Sequence, residues 1–269
     1  MTAFLIFIGV CVVLAAVYLF LVFPATRKHE YRNVLKGALI AHRGLFDNES
    51  GVPENSMSAF EAAVANGYGI ETDIRLTKDG ELVIHHDDSL KRLCGDDKKV
   101  FDLTLEEIRE YSLLNTDEKI PTFKEFLRLV DGKVPLIIEF KADGLKCPLL
   151  CEKAEEILKD YKGIFTVQSF DPYVVYWYKK NNPSVCRGQL ADVYKDTFMR
   201  RLLHTFLYNF LTRPDYIAFK QERSECLSYR LQKMLGAFTV GWTFKAQQEI
   251  DKKKKDFETY IFEGFKPEK

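Results

Sequence analysis

Leu39-Ile40-Ala41-His42-Arg43-Gly44, Gly69-Ile70-Glu71-Thr72-Asp73-Ile74 and Leu82-Val83-Ile84-His85-His86-Asp87 share one pattern. Each opens on apolar residues that read as a short buried strand and runs into polar residues that read as its end. Pro53-Glu54-Asn55-Ser56 falls between the first two. In a parallel α/β barrel the C-terminal ends of the strands open onto one face, and chemistry collects there. Two histidines, a Glu-x-Asp pair and an arginine at predicted strand ends therefore belong to one predicted site.

The pair is the most informative part. Side chains alternate along a strand, so Glu71 and Asp73 point to the same side. Two like charges on one face need either solvent or a cation. Gly69, Ile70 and Ile74 flank the pair and a helix-like stretch precedes it. That context favours a buried sheet, and a hard divalent ion held by oxygen becomes the better explanation. A lone histidine after a strand is commonly a hydrogen-bonded structural residue; His42 and His86 gain weight because both fall at the rim that carries the carboxylates.

Outward from this stretch, short apolar runs alternate with helix-like stretches, the pattern of βα units. The predicted strands are 38–42, 69–75, 81–85, 134–140, 164–168, 186–190, 215–219, 237–243 and 260–263. They fit a (β/α)₈ barrel with one strand too many, and Asp79-Gly80 reads as a tight turn between the second and third. Predicted helices include 55–66 with Ser56 as a cap, 105–112 opened by the Thr104/Glu107 capping-box spacing, 123–130, 147–160, 173–181, 226–235 and 246–255. Between Phe198 and Leu211 apolar residues fall in adjacent pairs. On a helix they fill a wide face, suited either to packing on the sheet or to lying on a membrane or over the site.

The chain begins with an uncharged apolar run from Phe4 to Phe23, long enough to cross a bilayer. It lacks the basic start and small-residue cleavage site of a secretory signal. Arg27, Lys28, Arg32 and Lys36 follow it, so the expected topology is a single-pass protein of the cell membrane with its domain in the cytoplasm. The expected organisation is an anchor over 1–24, a basic linker over 25–36 and a barrel domain over 37–269. Cys94, Cys147, Cys151, Cys186 and Cys226 are scattered as reduced thiols would be. The formal net charge is zero and Lys252–Lys255 reads as a solvated helix face, so no nucleic-acid partner is expected.

His-Arg-Gly, Pro-Glu-Asn-Ser, Glu-x-Asp with Thr77-Lys78-Asp79-Gly80, and His86-Asp87 stand in an order and spacing that resemble the glycerophosphodiester phosphodiesterase family. The resemblance continues through Ile120-Pro121-Thr122-Phe123, Ile138-Glu139-Phe140-Lys141, Gln168-Ser169-Phe170-Asp171 and Gly241-Trp242-Thr243, roughly Leu39 to Phe265. It implies a metal-dependent phosphodiesterase that releases sn-glycerol 3-phosphate and an alcohol, in phospholipid metabolism. Glu71, Asp73 and Glu139 would hold one Mg²⁺ or Ca²⁺, because an all-oxygen set suits a hard cation. His42 and His86 would carry protons in attack by the glycerol 2-hydroxyl and release of the alcohol. Arg43 and Lys141 would bind the phosphate, Glu54 and Asn55 would orient the metal or His42, and Trp242 would be either a wall for the alcohol or a buried barrel residue. Two departures, Lys245 where the family commonly has Asn and Ser56 where Thr is usual, bear on substrate detail. The expected substrate is a small-molecule or lysolipid phosphodiester. A lysophospholipase D on the same fold and a non-enzymatic barrel that binds lipid headgroups or a partner are the other readings.

Overall fold

In the computed structural model, residues 1–142, 147–193 and 205–268 are described. Helix α1 (Thr2–Val22) and a short α2 (Arg32–Leu35) precede strand β1 (Leu39–His42). There follow α3 (Met57–Ala65), β2 (Gly69–Leu76), β3 (Leu82–Ile84), α4 (Lys91–Cys94), α5 (Leu105–Arg109), α6 (Phe123–Val130) and β4 (Leu136–Phe140). Next come α7 (Cys147–Leu158), β5 (Phe165–Ser169), α8 (Pro172–Asn181), β6 (Cys186–Ala191), α9 (Asn209–Thr212) and β7 (Tyr216–Lys220). The chain ends with α10 (Leu227–Met234), β8 (Phe238–Phe244), α11 (Gln247–Lys253) and β9 (Thr259–Phe262).

Eight strands pair in parallel in the order β1-β2-β4-β5-β6-β7-β8-β9, and β9 returns to β1 to close the barrel. The extra strand is β3. It runs antiparallel to β2, with Ile74 opposite Ile84 and Leu76 opposite Leu82. The cause is the Asp79-Gly80 turn: Gly80 adopts φ +82°, which a side chain would strain, and the Thr77 hydroxyl donates to Asp79 Oδ1 at 2.6 Å. β3 therefore descends toward the mouth, where a parallel strand would rise to it. His85 and His86 lie just past its end, and the expectation that His86 caps a strand emerging onto the active face is corrected accordingly.

Alternation along the strands sorts the core. Ile40, Ile137, Leu190, Tyr216, Ala218, Val240 and Ile261 pack inside the barrel with Leu35 from α2. Gly188 makes room there, since a Cβ on it would come within 2.1 Å of the Tyr216 ring. Ala41, Ile70, Ile74, Ile138 and Phe140 belong to the larger cluster that Phe60, Phe126, Leu150, Val174 and Tyr229 of the helices complete. Val83, Leu90, Leu93, Val100, Leu103, Ile108, Leu113 and Ile120 form a separate small core beside β3. The helix starts follow side-chain caps: Ser56 accepts from Ala59 N, and Thr104/Glu107 and Thr122/Glu125 make full capping boxes.

Half of the helix expected over Phe198–Leu211, residues 198–204, lies outside the described residues. Its described end is not one continuous helix. Residues 205–208 form a turn in which Phe206, at φ +61°, is buried against Phe219, and α9 begins only after it.

The base of the barrel is closed by the segment entering it. Val22 is fully buried, and its carbonyl accepts from Asn209 Nδ2 at 2.8 Å and Gln232 Nε2 at 2.9 Å. Ala25 N donates to Pro214 O, Arg27 pairs with Asp215 at 2.6 Å and Arg32 donates to Asp215 O. Residues 25–36, basic as a linker would be, are thus packed against the N-terminal ends of β6 and β7. Before Leu19, by contrast, α1 is exposed along its whole length.

Candidate active site

The site is assembled by register. His42 is the partner of Glu71 in the β1–β2 ladder, and Asp73 is the partner of Glu139 in the β2–β4 ladder. Paired residues of parallel strands share a face, so His42, Glu71, Asp73 and Glu139 point together into the mouth. Lys141, two residues beyond Glu139, places Nζ 3.0 Å from Asp73 Oδ1 and in contact with Glu139 Oε1. A cavity of about 240 Å³ is lined by His42, Arg43, Glu71, His86, Glu139 and Lys141, with Phe170 and Trp242 on its wall. The rings of Phe170 and Trp242 meet edge to face at 5.8 Å, and Trp242 Nε1 is buried without a hydrogen-bond partner.

Each rim residue is held by another. His42 Nδ1 lies 2.6 Å from Glu263 Oε2, and its Nε2 stands 3.8 Å from Glu71 Oε2. Asn55 donates to Asp73 Oδ2 at 2.9 Å and accepts from the Thr72 hydroxyl. Arg43 and Asn55 both sit in the left-handed region, φ +59° and +56°, and Asn55 N donates to Arg43 O. Such backbone costs about 1–3 kcal/mol per residue and persists only where surroundings enforce it. Gly44 is required for a related reason: at φ +83° its Cβ would press on Ala59 of α3 at 2.9 Å.

A line of alternating charge joins the two sides of the mouth. Arg43 donates to Glu54 at 2.5 Å, Arg92 grips both oxygens of Glu54 at 2.7 and 2.8 Å, and Arg92 Nε donates to Asp87 at 2.7 Å. Asp87 in turn meets His86 Nδ1 at 2.7 Å. Glu54 therefore orients Arg43, and the expectation that it orients metal or His42 is corrected: the carboxylate on His42 is Glu263. His85 is buried on the other side of its loop, with Nε2 3.2 Å from Ser89 O. Glu263 and Arg92 escaped the sequence reading. An acid directly after the last strand was the available signal for Glu263. Arg92, on a four-residue helix, looked like any solvated cation.

Burial and neighbours set the charges. Burial, reinforced by Asp73 and Glu139, pushes the Glu71 carboxyl well above its ordinary range. Burial would do the same to Asp73, but Lys141, His86 and Arg43 outweigh it and hold Asp73 well below. Glu139 is raised, by burial first. Burial would lower Lys141, yet Asp73 and Glu139 keep it raised. Burial brings His86 down to about 4 against the pull of Asp73, so its ring is neutral near pH 7. For Glu263 the His42 contact and Lys245 overcome burial and hold the carboxyl at about 2.

Glu71, Asp73 and Glu139 can each offer an oxygen such that all three lie within 4.8 Å of one another. Glu71 Oε2 and Asp73 Oδ1 are buried without hydrogen-bond partners. Among the described residues Asp73 Oδ1 meets only the Lys141 ammonium and Glu71 Oε2 only the His42 ring at 3.8 Å, so three clustered buried carboxylates have fewer donors than oxygens and leave room for a cation. The donor set fits a hard divalent ion.

A barrel mouth with an oxygen triad, two imidazoles and two fixed cations defines an enzyme of the phosphoryl-transfer class. A family model described as the glycerophosphoryl diester phosphodiesterase family matches residues 42–255. A glycerophosphodiester phosphodiesterase of Caldanaerobacter subterraneus is 36% identical over 166 residues, 58% of this chain and 67% of that one. A Bacillus subtilis relative is 34% identical over 224 residues, covering 80% of this chain and 88% of its own. An Oleispira antarctica phosphodiesterase, solved with the product sn-glycerol-3-phosphate, superposes with a TM-score of 0.72 at 21% identity over 86% of this chain and 94% of that one, a likeness of fold. The chain belongs to the glycerophosphoryl diester phosphodiesterase family.

Proposed function

We propose that this phosphodiesterase hydrolyses a glycerophosphodiester to sn-glycerol 3-phosphate and an alcohol, with one divalent cation held by Glu71, Asp73 and Glu139. The observation that carries the reading is the buried triad beside one cavity of about 240 Å³, which its Glu71 and Glu139 line together with His42 and His86. The cation, Mg²⁺ or Ca²⁺, would supply Lewis-acid neutralisation of the phosphoryl oxygens. Everything else falls to the chain. Arg43 lines the cavity, held between Glu54 and Asp73, and would hold a phosphate oxygen. Lys141 holds another as a point charge.

His86 is neutral, with Nδ1 turned to Asp87, which leaves Nε2 as the proton acceptor. It takes the proton of the glycerol 2-hydroxyl as that oxygen bonds to phosphorus. The bond from phosphorus to the alcohol oxygen breaks, and His42 gives this oxygen a proton. Glu263, 2.6 Å from Nδ1, fixes the His42 ring so that the acid role falls to Nε2. Water then opens the cyclic phosphate with roles reversed: His42 takes the proton of water, and His86 returns one to the glycerol oxygen. Every proton is accounted for and both rings end as they began.

A substrate with a nitrophenol leaving group tests the assignment, because such an oxygen leaves without protonation. His42→Ala should lose about 10²–10⁴-fold on glycerophosphocholine and far less on glycerol-phosphoryl-nitrophenol, whereas His86→Ala should lose on both. Equal losses by His42→Ala on the two substrates would reject His42 as the acid.

We further propose that residues 1–24 span the cell membrane once and that 37–269, with the packed 25–36 connection, lies in the cytoplasm. The 21-residue apolar helix, nearly free of contacts, and Arg27, Lys28, Arg32 and Lys36 after it support this reading. A reporter fused after Lys269 should work only if it is of the kind active in cytoplasm.

A further inference from the structure

A second charge cluster lies at the opposite end of the barrel, and the catalytic reading does not use it. Where α1 meets the domain, Leu19, Phe20 and Phe23 and the guanidinium groups of Arg27, Arg187 and Arg213 line a groove of about 490 Å³. Against these three cations stands one carboxylate, Asp215, fully buried. Arg27 forks onto both its oxygens at 2.6 and 2.7 Å, and Arg187 approaches at 3.7 Å. Arg213 has no carboxylate partner among the described residues. Its Nη1 donates to Phe23 O at 2.6 Å, and its guanidinium lies 4.9 Å over the Phe20 ring. Burial pushes the Arg187 guanidinium down, Asp215 opposes this and Arg27 adds to it.

The location says what the missing anion is. A 21-residue helix is about 31 Å long, which matches the hydrocarbon core, so its end at Val22 reaches the inner surface of the bilayer. Leu19 and Phe20, one turn earlier, stand at the boundary of acyl chains and headgroups. The groove therefore offers apolar side chains at acyl depth and arginines at phosphate depth. Arginine is the residue suited to phosphate, which it meets with a planar fork. Resting on the anchor reading above, we propose that this groove binds one anionic glycerophospholipid of the inner leaflet, its phosphate against Arg213 and Arg27 and a chain along Leu19 and Phe20. The lipid would brace the anchor against the barrel base. That base carries the N-terminal ends of the strands, the end of the barrel away from the catalytic mouth.

The test uses the full chain in nanodiscs of mixed phosphatidylglycerol and phosphatidylcholine, with co-purified lipid read by native mass spectrometry. The parent should retain phosphatidylglycerol over phosphatidylcholine roughly tenfold, the scale of one or two basic contacts at a membrane surface. Arg213→Gln should bring this preference close to parity and leave turnover of soluble glycerophosphocholine unchanged, which reports an intact fold. Thr26→Glu, which sets a carboxylate in the groove from an exposed position, should do the same and guards against failure of Arg213→Gln to fold. Lys28→Gln, exposed and outside the groove, should keep the preference. No preference in the parent, or a preference surviving both groove variants, overturns the proposal. So does displacement of the lipid by millimolar inorganic phosphate, which would make the site one for free anions. Carbonate extraction of membranes separates the two readings. A chain that washes off loses anchor and lipid site together, and a chain that stays but shows no headgroup preference loses only the site.

Discussion

The mouth and the base of this barrel solve opposite electrostatic problems with the same device. At the mouth Glu71, Asp73 and Glu139 outnumber the cations beside them, and Lys141 rests its ammonium among them. At the base Arg27 and Arg187 share the carboxylate of Asp215, and Arg213 stands beside them with no carboxylate partner among the described residues. Buried charge is tolerable only when paired, so each end is incomplete in a definite sense, one short of positive charge and the other of negative. The difference teaches where ligands belong. On the readings proposed above, the mouth would take a cation and a phosphodiester, and the base an anion at the membrane.

The comparison breaks first if the mouth does not depend on its carboxylates. Glu71→Ala, Asp73→Ala or Glu139→Ala, or chelation of the parent, should lower kcat by about 10³-fold or more, since metal assistance supplies several kcal/mol. Steady-state assay with EDTA and metal add-back measures this, and undiminished turnover after exhaustive chelation would falsify the metal site. The base should respond in stability and leave catalysis alone. Asp215→Ala strips the partner from Arg27 and Arg187 and should cost about 3–5 kcal/mol of folding free energy at unchanged kcat on soluble substrate. Denaturant midpoints alongside kcat decide it, and a kcat loss larger than the stability loss would mean that the two ends are coupled. The smallest effect is one of pH. Arg92 and Arg43 overcome burial and hold Glu54 at about 2 against an ordinary 4.5. A carboxyl lowered by folding stabilises above its unfolded value, and the contribution, about 2–3 kcal/mol here, is lost as pH falls from about 4.5 toward 2. Glu54→Gln should flatten that acid limb of stability, and a limb of unchanged slope would assign it elsewhere.

Legibility followed the span of the interactions. Strands of alternating or wholly apolar residues, and helices opened by Thr104/Glu107 and Thr122/Glu125, are local, and they stand within a few residues of expectation. The helix 123–130 agrees at both ends with α6. Of the residues expected around the mouth, His42, Arg43, Glu71, His86, Glu139 and Lys141 line one cavity, because each lies at or just past a strand in a contiguous motif. What could not be read was direction and distance. An antiparallel β3 looks the same as a parallel strand until its turn is built. Glu263 reaches His42 across 221 positions, and Arg27 reaches Asp215 across 188. No local pattern encodes such pairs; only closure of the barrel brings them together.

His86, Asp87 and Arg92 follow β3, and their ties to the barrel are polar: Arg75 of β2 donates to His86 O at 3.1 and 2.9 Å, and Arg92 donates to Glu54. They hang from the small core of Val83, Leu90, Leu93, Val100 and its neighbours, which is separate from both barrel clusters. A few apolar side chains make a weaker cooperative unit than a closed sheet, and weak units open without the rest of the molecule unfolding. Half of the proposed proton-transfer pair is thus mounted on a part expected to open more readily than the strands that carry Glu71, Asp73 and Glu139. In hydrogen exchange, amides of residues 83–120 would open in a cheaper step than those of β2 and β4. On heating, turnover would fade before the helical signal does, so the temperature at which this enzyme stops working is set by its satellite and not by its scaffold.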